Sequence, residues 1–196
     1  MTSAPDPVPP GPVPPGPVPS GATPAGDGII VGTGGATVDA YIDYLCPYCR
    51  QFELGAGPAL RNMITERLIR VVYHPMSFLD RASTTRYSTR AAAAAACAAD
   101  SGRFLELNEA LYVSQPPEGG PGLSDAELTE LGASVGLDGE AFGACLASGR
   151  YLDWAPYVTE VAEARGVSAT PTVLVGGVPV QPVARAIAEA AGADGG

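Results

Sequence analysis

The chain has 196 residues, enough for one domain with a sizeable core plus a tail, and a hydrophobic content of 46% argues for a folded body. Its 21 acidic residues outweigh 11 basic ones, all arginine, and the net charge of −10 speaks against nucleic acid or anionic membrane surfaces as partners. No apolar run reaches the ~18 residues of a membrane span, and four cysteines with one close pair do not make a four-cysteine zinc site, so neither metal nor cofactor is expected.

Residues 1–26 carry half of the prolines in a five-residue repeat: 7–11 and 12–16 both read PVPPG, and 17–21 reads PVPSG. Such a segment cannot nucleate a core and favours an extended spacer of about 3 Å per residue. Glycine at every fifth position rather than every third excludes collagen. A disordered stalk over 1–26 and a folded domain over 27–196 are therefore expected. No apolar signal region follows Met1, so an anchor or signal is expected upstream of it.

A short apolar run at 28–32 reads as an edge strand, and 37–44, rich in β-branched and aromatic residues, as a second. Helical spacing then runs from Pro47 to about Ile69, although Gly55 and Gly57 weaken its middle, and 70–74 supplies a third strand. An alanine-dense helix at 83–100 is followed by helices at 104–112, 125–135, 139–147 and 151–164. Ser124 with Glu127 three residues later marks the start of the second of these four. Strands at 172–175 and 178–181 flank Gly176-Gly177, a natural hairpin turn, before a last helix at 183–191. The order describes an α/β sheet with helices packed on it and a helical insertion over about 80–165.

The chemistry lies in Cys46-Pro47-Tyr48-Cys49, between a strand and a helix. Unpaired N–H groups and the helix dipole favour a thiolate at the first cysteine, and the second lies one turn in, near enough to close a disulfide. Pro47 suits a first helical turn, where its missing N–H had no partner. Cys46 is thus expected to be the exposed nucleophile and Cys49 the buried resolving thiol, against the alternative of half a zinc ribbon or an incidental pair. Tyr41, Tyr44, Tyr48, Phe78 and Leu79 could line an apolar surface nearby; by position, only Tyr48 stands clear of the core.

The passage 43–53, Asp-Tyr-Leu-Cys-Pro-Tyr-Cys-Arg-Gln-Phe-Glu, resembles the active-site segment of DsbA-like proteins in the thioredoxin superfamily. The resemblance continues through 73–75, 102–104, 110–111, 142–148 and 166–172, and spans about 28–191. CPYC also occurs in glutaredoxins, but those have no room for the ~95 residues between Pro75 and Thr170. The resemblance implies a thioredoxin fold with an inserted helical domain, and a cis bond between Thr170 and Pro171 opposite the cysteines, where Thr170 could pair with an extended substrate. It further implies an extracytoplasmic oxidase that places disulfides in reduced secreted proteins and is recharged by a membrane oxidase of the DsbB or VKOR-like type. A reductase or isomerase, and a redox-silent thioredoxin-fold chaperone, are the alternatives. The lack of room for a dimerisation domain makes a monomer the expectation.

Two departures bear on the site. Tyr48 stands where the enteric DsbA has histidine, so weaker oxidising power is expected, and Ala40 stands where many relatives keep a buried acid. Asp43 and Glu53 are the remaining acidic candidates for handling a proton, the latter matching an acid of the family's pattern. His74, the one histidine, ends a strand expected to run parallel to 37–44, on the same sheet edge as Cys46, where it is either a modulator of the thiols or a satisfied, partly buried histidine. Cys97 and Cys145 are either two buried thiols or a structural disulfide, as some DsbA-like proteins carry; a bridge would close a loop of about 48 residues.

Overall fold

A computed structural model describes residues 13–193. Five strands form one sheet: β1 (Ile29–Val31), β2 (Ala36–Ile42), β3 (Ile69–Pro75), β4 (Thr172–Val175) and β5 (Val178–Val180), in spatial order β1-β3-β2-β4-β5. β2 and β3 are parallel, as their helical connection requires, and Tyr41 lies opposite His74; the other pairs are antiparallel. The central strand β2 buries Val38, Ala40, Tyr41 and Ile42. Helix α1 (Pro47–Thr65) joins β2 to β3, and α7 (Ala184–Ala193) follows the hairpin. Between β3 and β4 lie a 3-10 turn (Asp80–Ala82) and helices α2 (Tyr87–Asp100), α3 (Phe104–Val113), α4 (Asp125–Ser134), α5 (Gly139–Ala147) and α6 (Trp154–Ala164). This is a thioredoxin fold with a helical insertion.

The composition of α2 explains the insertion. Residues Ala91–Ala99 are all buried, and such small side chains let a helix be surrounded without voids. α2 accordingly packs against α3, α5 and α6. Gly57, which weakens α1 on propensity, answers a steric need: a Cβ there would lie 2.8 Å from Glu53 Oε1.

Of the expected spacer over 1–26, residues 20–26 are held on the body; residues 1–12 fall outside the described part. The carbonyl of Gly26 accepts from the Trp154 indole at 2.7 Å, and Ser20 donates to Asp100 at 2.9 Å. Asp27 pairs with Arg165 and Thr23, and Ala22 bridges to Ile29 beside β1. The arm is proline-rich yet held, because its backbone carbonyls meet buried donors. Helix α1 also stops short of the expected Ile69: Arg67 takes a left-handed φ of 58° and turns the chain into β3. Likewise α2 begins at Tyr87 rather than Ser83, after left-handed Arg86. Among the described residues no helix is long and apolar enough to cross a membrane.

Candidate active site

Cys46 is the N-cap of α1, with extended backbone (φ −74°, ψ 118°) and Pro47 at the first helical position. The end of β2 and the first turn of α1 thereby set Cys46 at the mouth of the sheet and Cys49 beneath it. Both are free thiols, and Cys46 is not exposed as expected but buried, at 4% exposure and reached from the groove beside it, with Cys49 at 0%. As a thiol, Cys46 donates to the Thr170 carbonyl at 3.3 Å, and the Thr170–Pro171 bond is cis. The hydrogen bond from the Cys49 side chain lowers the Cys46 pKa to about 6; burial opposes it, and the Thr170 side chain and the N–H groups of Cys49 and Tyr48 assist. Burial pushes Cys49 the other way, well above the ordinary thiol value. Its sulfur accepts from the Asp43 N–H at 3.4 Å.

Asp43 is fully buried behind the pair. Its Oδ1 accepts from the Leu45 N–H at 2.8 Å and the Ser88 hydroxyl at 2.7 Å, and its Oδ2 from the Leu79 N–H at 2.9 Å. Burial raises its pKa to about 6 despite these bonds. One carboxylate thus ties the turn before Cys46, the segment after β3 and helix α2 together. Glu53, also buried, is pushed up by burial with Arg61 opposing. Arg61 Nη1 lies 3.6 Å from it, and among the described residues neither Glu53 oxygen has a hydrogen-bond partner.

His74 is not brought to the thiols. Its ring stacks on Tyr41 at 4.2 Å, Nδ1 meets the Asp27 carbonyl at 2.6 Å, and Nε2 meets Asp39 Oδ1 at 3.1 Å. The expected shared sheet edge holds for its strand, but the ring is spent on anchoring the N-terminal arm. Cys97 and Cys145 are bonded to one another, joining α2 to α5. Tyr41 and Tyr44 are core, whereas Tyr48 is 66% exposed.

A groove of about 900 Å³ opens beside Cys46, Pro47 and Tyr48, walled by Ser77–Arg81 on one side and Gly166–Thr170 on the other. The Ser77 N–H donates to Thr159 Oγ1 at 2.8 Å, which fixes the first wall to α6. Leu79, expected as a lining residue, does border the groove and also gives its N–H to Asp43. Two contributors carry no sequence signal: Ser88, which bonds Asp43, and Gln115, whose amide reaches the carbonyls of Tyr44 and Cys46 at 3.0 Å each. Gln115 is 69 residues from Cys46, and only the fold brings the two together.

A dithiol at a helix start, facing a cis-proline loop across a groove, defines the thioredoxin class. The family model Thioredoxin_4, described as thioredoxin, matches residues 25–189. DsbA of Mycobacterium tuberculosis in its oxidised form is 33% identical, with a TM-score of 0.74 over 87% of this chain and 94% of that one. The same organism's disulfide bond oxidoreductase DsbG, reduced, is 35% identical, with a TM-score of 0.70 over 80% and 81%. The chain belongs to the thioredoxin family, among its DsbA-like thiol–disulfide oxidoreductases. It is also similar, at 34% identity over 135 residues, to part of the serine/threonine-protein kinase PknE of M. tuberculosis, matching 64% of this chain. It spans about a quarter (24%) of that curated relative's length.

Proposed function

We propose that this domain is an extracytoplasmic oxidase that introduces disulfides into secreted or cell-envelope proteins through Cys46 and Cys49. The observation that carries the reading is the inequality of the pair: Cys46 opens on a groove with its pKa lowered to about 6, while burial raises Cys49. Stabilising the thiolate stabilises the reduced form, and a disulfide whose reduced form is stabilised is the better oxidant. A substrate thiolate attacks Cys46 Sγ of the oxidised pair, the Cys46–Cys49 bond breaks, and Cys49 leaves with the electron pair and takes up a proton. The substrate's second thiolate attacks the substrate sulfur of the mixed disulfide, forming the substrate disulfide and expelling Cys46 as the stabilised thiolate. The substrate dithiol is oxidised by two electrons and the cysteine pair is reduced.

In this reading Thr170, held before Pro171, offers its carbonyl to the N–H of an extended substrate, and Pro47 and Tyr48 form the lip that the substrate crosses. Asp43 and Glu53, both buried acids with raised pKa, are the groups that trade protons behind Cys49. The Cys97–Cys145 bridge is structural and suits an oxidising compartment. A membrane oxidase of the DsbB or VKOR-like type recharges the pair.

Equilibration in glutathione buffers, with Cys46 trapped by alkylation, tests the direction. A potential between about −120 and −180 mV is expected, the range of DsbA and protein disulfide isomerase. A value near −270 mV, like thioredoxin, would sink the oxidase and leave a reductase or isomerase.

A further inference from the structure

Gln115 follows α3 and precedes Pro116-Pro117, within the helical insertion. A residue before proline is restricted to extended backbone, so the side chain leaves a stiff segment. Its amide nitrogen donates to the carbonyls of Tyr44 and Cys46, both at 3.0 Å. Both partners can only accept, so the nitrogen must face them and the amide orientation is fixed. These carbonyls belong to the turn that delivers the nucleophile, and the Cys46 side chain makes no capping bond to the first turn of α1. The same Cys46 carbonyl accepts the Arg50 N–H at 3.1 Å, and the Cys46 N–H donates to the Asp43 carbonyl at 3.1 Å.

We propose that Gln115 is a positioning residue for Cys46, its amide gripping the Tyr44 and Cys46 carbonyls to hold the nucleophile open to the groove. The proposal rests on the reading of Cys46 as the nucleophile, but not on the direction of electron transfer. Two effects follow from the geometry. The donors offset the partial negative charge of two carbonyl oxygens near the sulfur, which favours its thiolate. They also fix the turn, so that the N–H groups of Tyr48 and Cys49 stay aimed at the sulfur. Through this side chain, as through Ser88 on Asp43, the insertion acts on the chemistry of the thioredoxin half.

Titration of the reduced protein, followed by the ultraviolet absorbance of the Cys46 thiolate, tests this in Gln115→Met, which keeps the length and loses the donors. Its midpoint should rise by about half a unit or more, roughly a threefold loss of thiolate below the midpoint. Gln115→Glu, which turns an acceptor on the two carbonyls, should raise it further. Ser124→Ala, at the distant cap of α4, should lower stability without moving the midpoint, which separates positioning from general loosening. If Gln115→Met does not fold, Gln115→Asn is the milder variant, keeping donors on a shorter arm, and should still raise the midpoint. A folded Gln115 variant titrating within about 0.2 units of the parent overturns the proposal, whatever potential the pair proves to have.

Discussion

Cys97 and Cys145, 48 residues apart, are joined across two helices of the insertion, whereas Cys46 and Cys49, within one helical turn, remain free. Spacing alone does not separate a staple from a tool; surroundings do. The long pair joins α2 to α5, and its value is the chain entropy it removes from the unfolded state. The short pair closes almost no loop, so its bond contributes little to holding the fold. It lies where a helix N-terminus, a carbonyl of the facing loop and a buried carboxylate converge, and there the two sulfurs acquire opposite proton affinities.

The comparison breaks most sharply by substitution. Cys46→Ser should abolish disulfide transfer to a reduced peptide, while Cys97→Ala with Cys145→Ala should retain it; loss of transfer in the double variant under folding conditions would mean that the two pairs are coupled. Next in size is alkylation. At pH 7 Cys46 should react about a hundredfold faster than Cys49, with a rate that falls as pH drops through about 6, where its thiolate takes up a proton. Equal rates would contradict the division of roles.

The staple should show in stability. Removing the bridge should cost about 4 kcal/mol in the chain-entropy model for this loop length, read as a lower urea midpoint, whereas reducing the active pair should cost far less. Asp43 gives the smallest effect and sharpens the contrast from the acid side. Its pKa rises from 3.8 to about 6 on folding, so in that window the folded chain binds a proton that the unfolded chain has lost. Its contribution to stability therefore declines as pH rises from 4 to 6, by an amount on the order of 2–3 kcal/mol. Asp43→Asn should flatten that slope in urea unfolding at pH 4 and pH 7, and an unchanged slope would remove Asp43 as its source.

The sequence made the local features legible. The Ser124–Glu127 capping box is present, with the Ser124 N–H donating to Glu127 at 2.7 Å. The hairpin turn at Gly176-Gly177 has two left-handed residues, as a diglycine permits. The strand–CPYC–helix unit was readable because each part is set by its neighbours. What escaped depended on long-range contacts or on rare backbone states. Arg67 and Arg86 end and begin helices from left-handed conformations that no glycine marks, and the bonds holding residues 20–27 come from the far-off Trp154 and Arg165. The partners of Asp43 and the reach of Gln115 depend on segments that meet only after folding. His74 shows the converse: its strand was placed from topology, but its ring direction depended on an arm expected to be unstructured.

That arm has a further consequence for the sheet it borders. An open strand edge offers a row of unpaired N–H and C=O groups on which any extended chain can template. One rim here is partly taken by Ala22 against Ile29 of β1. The other is β5, whose middle residue is Pro179, with no N–H to offer. An oxidase of the kind proposed, taking unfolded chains at its cysteines, would meet many times over the partners most able to add to its own sheet, and both rims are blunted against that misuse.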